Sequence, residues 1–179
     1  MTAFSIEIQD KAVKSALQTL AARVNSMEPV LQTLGEGIVE RTKRRFDTST
    51  DPDGQAWKPN STSTLAMLSN RLAGSKSNVK KDGSLNAKGS RALANKKPLI
   101  GESQDLRRQI LASVTGNTLT IRSTPKYAAI QQFGGKAGKG HKVTIPARPF
   151  LPVKLDGTLY PEEQAQTLKA INAYLMDNL

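Results

Sequence analysis

"KAVKSALQTLAARVNSMEPVLQTLGEGIVERTKRRF", Lys11 to Phe46, decides the fold. Val13, Leu17, Leu20, Ala21 and Val24 recur at helical spacing, which predicts a first amphipathic helix from Lys11. Ser26 is a candidate cap for a second helix, and Pro29 falls in its first turn, where a missing N–H costs nothing. Val30, Leu31, Leu34, Ile38 and Phe46 carry that second helix forward, interrupted only by Gly35 and Gly37. Arg41, Lys43, Arg44 and Arg45 gather at its end, where cations complement the helix dipole. Two long helices therefore open the chain.

Upstream, Phe4, Ile6 and Ile8 alternate with polar residues, a weak strand signal. Downstream, "DPDGQAWKP" from Asp51 to Pro59 predicts a β-turn leading to Trp57, whose apolar face should anchor the loop on the core. The aspartates invite a calcium reading, but an EF-hand loop begun at Asp51 would need glycine and glutamate where Ala56 and Thr62 stand. Thr64 to Leu72 predicts a short helix. Residues 69–97 then lose apolar periodicity: twelve of 29 are Gly, Ser or Asn, the pattern of a long loop. Thr115-Gly116-Asn117-Thr118 between β-formers is a hairpin signal, and Val143-Thr144-Ile145 supplies another strand. Pro161-Glu162-Glu163 begins a last helix, with Leu168, Ile171, Leu175 and Leu179 on one face. The fold class is α+β: two N-terminal helices, a small antiparallel β-sheet with long loops and a C-terminal helix. It is read as a single domain over residues 1–179 with a flexible basic insertion at about 69–97.

The chain has 179 residues, no cysteine and a formal net charge of +11. Without cysteine, disulfides and thiol catalysis are excluded, and the composition suits a reducing compartment. No apolar run approaches the roughly 18 residues that cross a bilayer. The start, MTAFSIEIQD, lacks a basic and apolar leader, so no signal peptide is expected and assembly in a cytosol is. Between Ser69 and Lys97, eight basic residues stand against Asp82 alone, so this stretch holds seven of the eleven net positive charges. Lys80, Lys81, Lys88 and Arg91 within it are candidate contacts for nucleic acid or an acidic partner. A solvated loop is the plain alternative.

"YAAIQQFGGKAGKGHKVTIPARPFLPV", Tyr127 to Val153, holds the remaining candidate chemistry. It fails as a phosphate loop ending at Gly138-Lys139: the first glycine falls on Phe133 and the closing hydroxyl on Gly140. His141 is the chain's one histidine and has no acidic neighbour in sequence, so it reads as an exposed side chain rather than a base. With one His and no Cys, paired His/Cys metal sites are excluded, and no cofactor is expected. The glycine–lysine run reads as a hairpin tip presenting Lys136, Lys139 and Lys142. Pro146 and Pro149 push Ile145 and Arg148 towards extended backbone. Phe150 and Leu151 can then plug an apolar site while Arg148 points to a fixed place, able to fork two carboxylates or simply to sit at the surface. Tyr127, Phe133, Arg148, Phe150 and Leu151, with Trp57, are the candidate subunit or partner contacts.

Three stretches in order, "RRFDTSTDPDGQAWKP", "YAAIQQFGG" and "IPARPFL", resemble the phage virion morphogenesis or tail completion family. They fall on Phe46 and Asp51 to Pro59, on Tyr127 to Gly135, and on Ile145 to Leu151. One departure is Gln131, where the family commonly carries histidine. The resemblance implies a structural protein of a tailed phage, assembled in the host cytoplasm and placed where tail meets head. It implies a homo-oligomeric ring, six-fold by expectation, that contacts tail tube and sheath or head connector proteins. Packaged DNA would pass through its lumen against basic side chains. On this reading residues 127–135 and 145–151 form a clip around the basic hairpin, bracing the subunit or its neighbour.

Three other readings compete. A free-standing nucleic-acid-binding protein should interleave aromatics with its basic residues, yet none stands between Trp57 and Tyr127. An enzyme should show an acid–base pair, and no motif supplies one. A head-side connector or minor capsid protein shares the charge logic and differs only in its place in the virion.

Overall fold

Asp10 starts the first helix, its carboxylate accepting from the Ala12 and Val13 amides. The computed structural model describes residues 10–177, so the alternation at Phe4, Ile6 and Ile8, and Leu179 at the other end, lie outside the described residues. Helix α1 spans Lys11–Asn25 and α2 spans Glu28–Thr48. Ser26 does not cap α2. Its amide instead donates to the Arg23 carbonyl and closes α1, and Met27 takes the N-cap position without a side-chain bond. The serine stands one residue too early for its hydroxyl to serve α2's first free amides. Pro29 does fall in the first turn.

Helix α2 runs unbroken through Gly35 and Gly37 and is the spine of the molecule. Strands β1 (Ile110–Thr115) and β2 (Thr118–Ser123) form an antiparallel hairpin that turns at Gly116-Asn117, as the sequence predicts. The hairpin lies on α2 at Gly35, where an added Cβ would come within 2.9 Å of Leu119 Cδ1 and 3.0 Å of Ala112 Cβ. The absence of a side chain there is what lets the ribbon approach. A two-stranded ribbon is marginal alone, and packing on α2 supplies its missing support. Among the described residues, strands β3 (Gly135–Ala137) and β4 (Val143–Ile145) pair antiparallel with each other only, so two ribbons stand in place of the one small sheet expected.

Except for Ile38, the buried apolar residues form two clusters along α2. Phe46, Trp57, Leu106, Ile110, Ala128 and Phe150 make one, with Leu106 supplied by the short helix α5 (Asp105–Arg108) and Ala128 by α6 (Ala128–Phe133). Val30, Leu31 and Leu34 make the other, joined by Val114, Leu119 and, from α7 (Pro161–Met176), Ala170, Ile171 and Tyr174. Of the predicted α7 face, Ile171 packs inward while Leu168 stays exposed. Helix α1 buries none of its residues; Val13, Leu17 and Val24 are exposed.

Residues 69–97 were expected to form a loop, and they contain regular structure instead. The predicted helix at Thr64–Leu72 is α3 (Thr62–Ala73), capped by Ser61; a 3-10 turn follows at Lys76–Asn78, and α4 spans Ala87–Ala94. Gly89 lets α4 sit against that turn, since a Cβ would fall 2.5 Å from the Asn78 carbonyl oxygen. The helices are local and polar. Asn86 caps α4 through its side chain, accepting from Lys88 and Gly89 amides, so capping rather than apolar periodicity starts this helix. Asn60 Nδ2 donates to the Lys96 carbonyl at 2.9 Å, and Arg71 pairs with Glu102 at 2.6 Å, tying the segment to the body.

The turn read at Asp51–Gly54 recurs at two more places. Thr50 bridges Ala56, Val79 bridges Leu85 and Val153 bridges Leu159, each across six residues. The last two are nearly the same sequence, "VKKDGSL" and "VKLDGTL". In each of the three hairpins an Asp-Gly pair places glycine at φ between 79° and 84°, the left-handed region that a side chain disfavours. In the later two, the Asp oxygen accepts from both the amide and the hydroxyl of Ser84 or Thr158, which holds Asp82 and Asp156 below the usual carboxylate pKa. Each hairpin is followed by a helix: α3, α4 and α7.

Candidate functional site

The clip between residues 127–135 and 145–151 is built around an amide that sequence reasoning passed over. Gln132 lies on the inner face of α6 and is 2% exposed. Its Oε1 accepts from the Phe150 amide at 2.8 Å and the Leu151 amide at 2.9 Å. Its Nε2 donates to the carbonyls of Leu151 and Val153, both at 3.0 Å. One side chain thus satisfies four backbone groups of residues 150–153, a segment that lies outside the strands and meets another only at the Val153–Leu159 bridge. The only cue in the sequence was a glutamine on the turn before Phe133.

Phe150, held by these bonds, is fully buried against Phe46 and packs beside Trp57 around the same ring; the centroid distances to Phe46 are 5.3 Å in both cases. Trp57 Nε1 donates to the Pro149 carbonyl at 2.8 Å. Arg148 does not fork two carboxylates. Its Nε and Nη2 donate to the carbonyls of Lys58 and Pro59, each at 2.7 Å, and its amide donates to the Gln131 carbonyl at 2.8 Å. Burial lowers the Arg148 pKa. The Asp51–Pro59 turn delivers two free carbonyls to this spot, and a planar guanidinium fits them as well as it fits an anion. The three motifs, far apart in sequence, are therefore one braced unit in space.

A second tie crosses the same region. Arg41 and Arg45, one turn apart on α2, both pair with Glu163 of α7; the Arg45 Nη2 to Oε2 distance is 3.3 Å, and Arg41 Nη2 bonds Oε1 directly. Glu163 is 2% exposed. Arg45 also donates to the Phe150 carbonyl at 2.9 Å. Burial pulls the Arg45 pKa down and Glu163 pushes it back up. The arginines read from the sequence as dipole partners are in fact split: Arg41 and Arg45 bind α7, while Arg44 pairs with Glu40 on the same helix at 3.1 Å. Their i,i+4 spacing marked a shared face; nothing local named Glu163 as the partner.

The candidate contact residues separate accordingly. Trp57, Arg148 and Phe150 spend their contacts inside the subunit, which removes them as surfaces for a neighbour; Leu151 is half-buried against the same core. Tyr127 and Phe133 are exposed. Gly134, between Phe133 and the clip, has φ 74° and ψ −178°, and a Cβ there would lie 2.8 Å from the Ala147 amide nitrogen. Gly134→Ala should lower stability by at least about 2 kcal/mol, since the conformation alone costs about 1–3 kcal/mol for a side-chain residue. Urea unfolding would measure this, and a shift under 0.5 kcal/mol, roughly the scatter of neutral surface changes, would contradict it.

The basic candidates form two exposed groups. Lys80 and Lys81 sit at the tip of one Asp-Gly hairpin, with Lys88 and Arg91 on α4. Lys136 lies on β3 opposite Thr144, and Lys139 and Lys142 lie at the tip beyond it, beside an exposed His141. An open cleft of about 620 Å³ is lined by Lys58, Lys96, Lys97 and Arg148 together with Tyr127 and β4. The arrangement can hold anionic surfaces. Among the described residues no group of three or more His, Cys, Asp or Glu side chains gathers as a metal site, and Asp51 instead accepts from the Asp53 and Gln55 amides. No helix among them is long and apolar enough to cross a membrane.

The model of the phage virion morphogenesis family matches residues 8–175. The chain belongs to that family. A relative, the "Mu-like prophage FluMu G protein 2" of Haemophilus influenzae, is 42% identical over 77 residues, which is 43% of this chain and 51% of the relative. The match thus spans about half the relative's length. No solved structure matches significantly.

Proposed function

We propose that the chain is a structural, non-enzymatic protein of the virion that assembles as a homo-oligomeric ring, six-fold by expectation, at the head–tail junction. It completes the tail tube and joins it to the head. The observation that carries the reading is membership of a virion morphogenesis family along residues 8–175. The braced clip suits it, because a ring subunit needs a rigid frame from which exposed loops meet different patches on its neighbours. Particles assembled without the protein test it directly. Finished heads beside separate tails with ragged or overlong ends are expected. Heads that leak DNA beside tails of normal length would overturn the tail-side placement in favour of a head-side connector.

In this reading Lys80, Lys81, Lys88, Arg91, Lys136, Lys139 and Lys142 are candidate contacts to DNA in the lumen. Such contacts neutralise phosphate without reading bases, so affinity for duplex should fall steeply with salt. Changing Lys136, Lys139 and Lys142 together to Gln should flatten the slope of log affinity against log salt by up to about 0.9 per charge. An unchanged slope would remove that hairpin from the DNA-facing surface.

A further inference from the structure

The open cleft of about 620 Å³ lies where the stretch after Trp57, the start of α3, residues 96–101 and β4 meet. Its lining carries Lys58, Lys96, Lys97 and Arg148 and no aspartate or glutamate. None of the four takes part in an ion pair among the described residues. Lys96 donates to the Ile100 carbonyl, Lys97 to the Asp47 carbonyl, and Arg148 to those of Lys58 and Pro59. Arg148 is 7% exposed, and its Nη1 makes no bond among the described residues. Its charge is thus buried without a counter-ion, a costly arrangement until an opposite charge is set against it.

The wall on the β4 side is a strand edge. Val143, Thr144, Ile145 and Pro146 all line the cleft, and no residue of β3 does. Successive side chains of a strand point to opposite faces, so four in a row can border one space only along the edge. Among the described residues β4 pairs with β3 alone, and none of its backbone groups bonds elsewhere. An unpaired edge is a template for another strand.

We propose that the cleft takes an extended acidic segment of a partner polypeptide, which adds as a strand to the free edge of β4 and sets a carboxylate against Lys58 and Arg148. Backbone bonds would supply affinity, and alternate side chains would select the sequence. The partner is another protein rather than a second copy, because this chain carries +11 and a basic cleft repels its like. A peptide suits the cleft better than duplex DNA. Leu99, Ile100, Val143 and Ile145 give it an apolar lining, and a phosphodiester has no amide to pair with β4. Tyr127, exposed and at the same cleft, becomes a partner contact. The inference goes beyond the place of the chain in the virion and holds for either side of the joint.

Isothermal titration of the full chain with a blocked heptapeptide of alternating valine and glutamate tests it, at about 0.15 M salt. Binding with Kd below about 1 mM is expected. Replacing the glutamates by glutamine should weaken it at least about tenfold, and so should Lys58→Glu in the protein. Lys58 is exposed, so thermal unfolding of that variant should stay near the parent's. N-methylation of alternate peptide bonds should abolish binding in one register and spare it in the other, since only one edge of the peptide meets β4. No binding at millimolar peptide overturns the proposal, as does equal binding in both N-methylated registers, which would leave charge attraction without strand addition. A duplex oligonucleotide that displaces the peptide at equal concentration, and loses that ability in Lys58→Glu, would give the cleft to DNA and overturn it too.

Discussion

Gln132→Leu is expected to destabilise the protein by about 3–6 kcal/mol, or to prevent it folding. The substitution keeps the volume and removes the partners of the Phe150 and Leu151 amides and of the Leu151 and Val153 carbonyls. A buried polar group left without a partner costs about 1–3 kcal/mol, and some of the four will find water at the part-buried end. Domains of this size are stable by about 5–15 kcal/mol in total, so the loss is a large share. The damage should spread. Phe150 is held in the core by the bond to its amide, and losing it loosens the aromatic cluster with Phe46 and Trp57. Gln132→Glu separates the two halves of the interaction, because a carboxylate still accepts from both amides but faces the two carbonyls with nothing to donate. It should fall between the parent and Gln132→Leu in a urea melt. Equal stability of Gln132→Leu and the parent would show that the segment is held without the Gln132 amide, by the aromatic plug and the bonds from Trp57, Arg45 and Arg148.

Glu163→Gln should cost about 3–5 kcal/mol, the range for removing one partner of a buried ion pair. The change is nearly isosteric, so the loss is electrostatic. Arg45 has its side chain only 11% exposed and remains charged, with only the Asp51 carboxylate left to offset its burial. Arg41 is more exposed, at 30%, and water will screen part of its share. A double-mutant cycle makes the point specific: in an Arg41→Leu/Arg45→Leu background the same Glu163→Gln change should cost far less. If the cost is the same in both backgrounds, Glu163 acts through something other than the arginines. Loss of this tie frees the first turn of α7 from α2. The Val153–Leu159 hairpin that precedes α7 should then lose definition as well.

Much of the frame was legible because its causes are local. Apolar spacing gave α1 and α2, Gly116-Asn117 gave the β1–β2 turn, and Pro161 with two glutamates gave the start of α7. Where local cues were misjudged, the reason is also local. Ser26 was one residue short of a cap for α2, and α4 is started by an Asn86 cap instead of an apolar stripe. The repeat of "VKKDGSL" and "VKLDGTL" was present in the chain and went unread, because a seven-residue hairpin carries no hydrophobic period. The order of the three motifs was enough to indicate the family, and the family model agrees over residues 8–175.

By itself, the sequence determined the α+β class, the places of α1, α2, α3 and α7, the turns at Asp51–Gly54 and Gly116-Asn117, the basic balance and the family. Each follows from residue type at short spacing, where periodicity and turn chemistry act. Only the tertiary structure decided which side chains hold the motifs together. Gln132 serving a segment eighteen residues on, Arg148 reaching the Lys58 and Pro59 carbonyls, and Glu163 between Arg41 and Arg45 all join distant parts of the chain. A glutamine or an arginine has the same propensity whether it faces water or four buried backbone groups. Its partner is chosen only when folding excludes water and leaves those groups with no other bond to make.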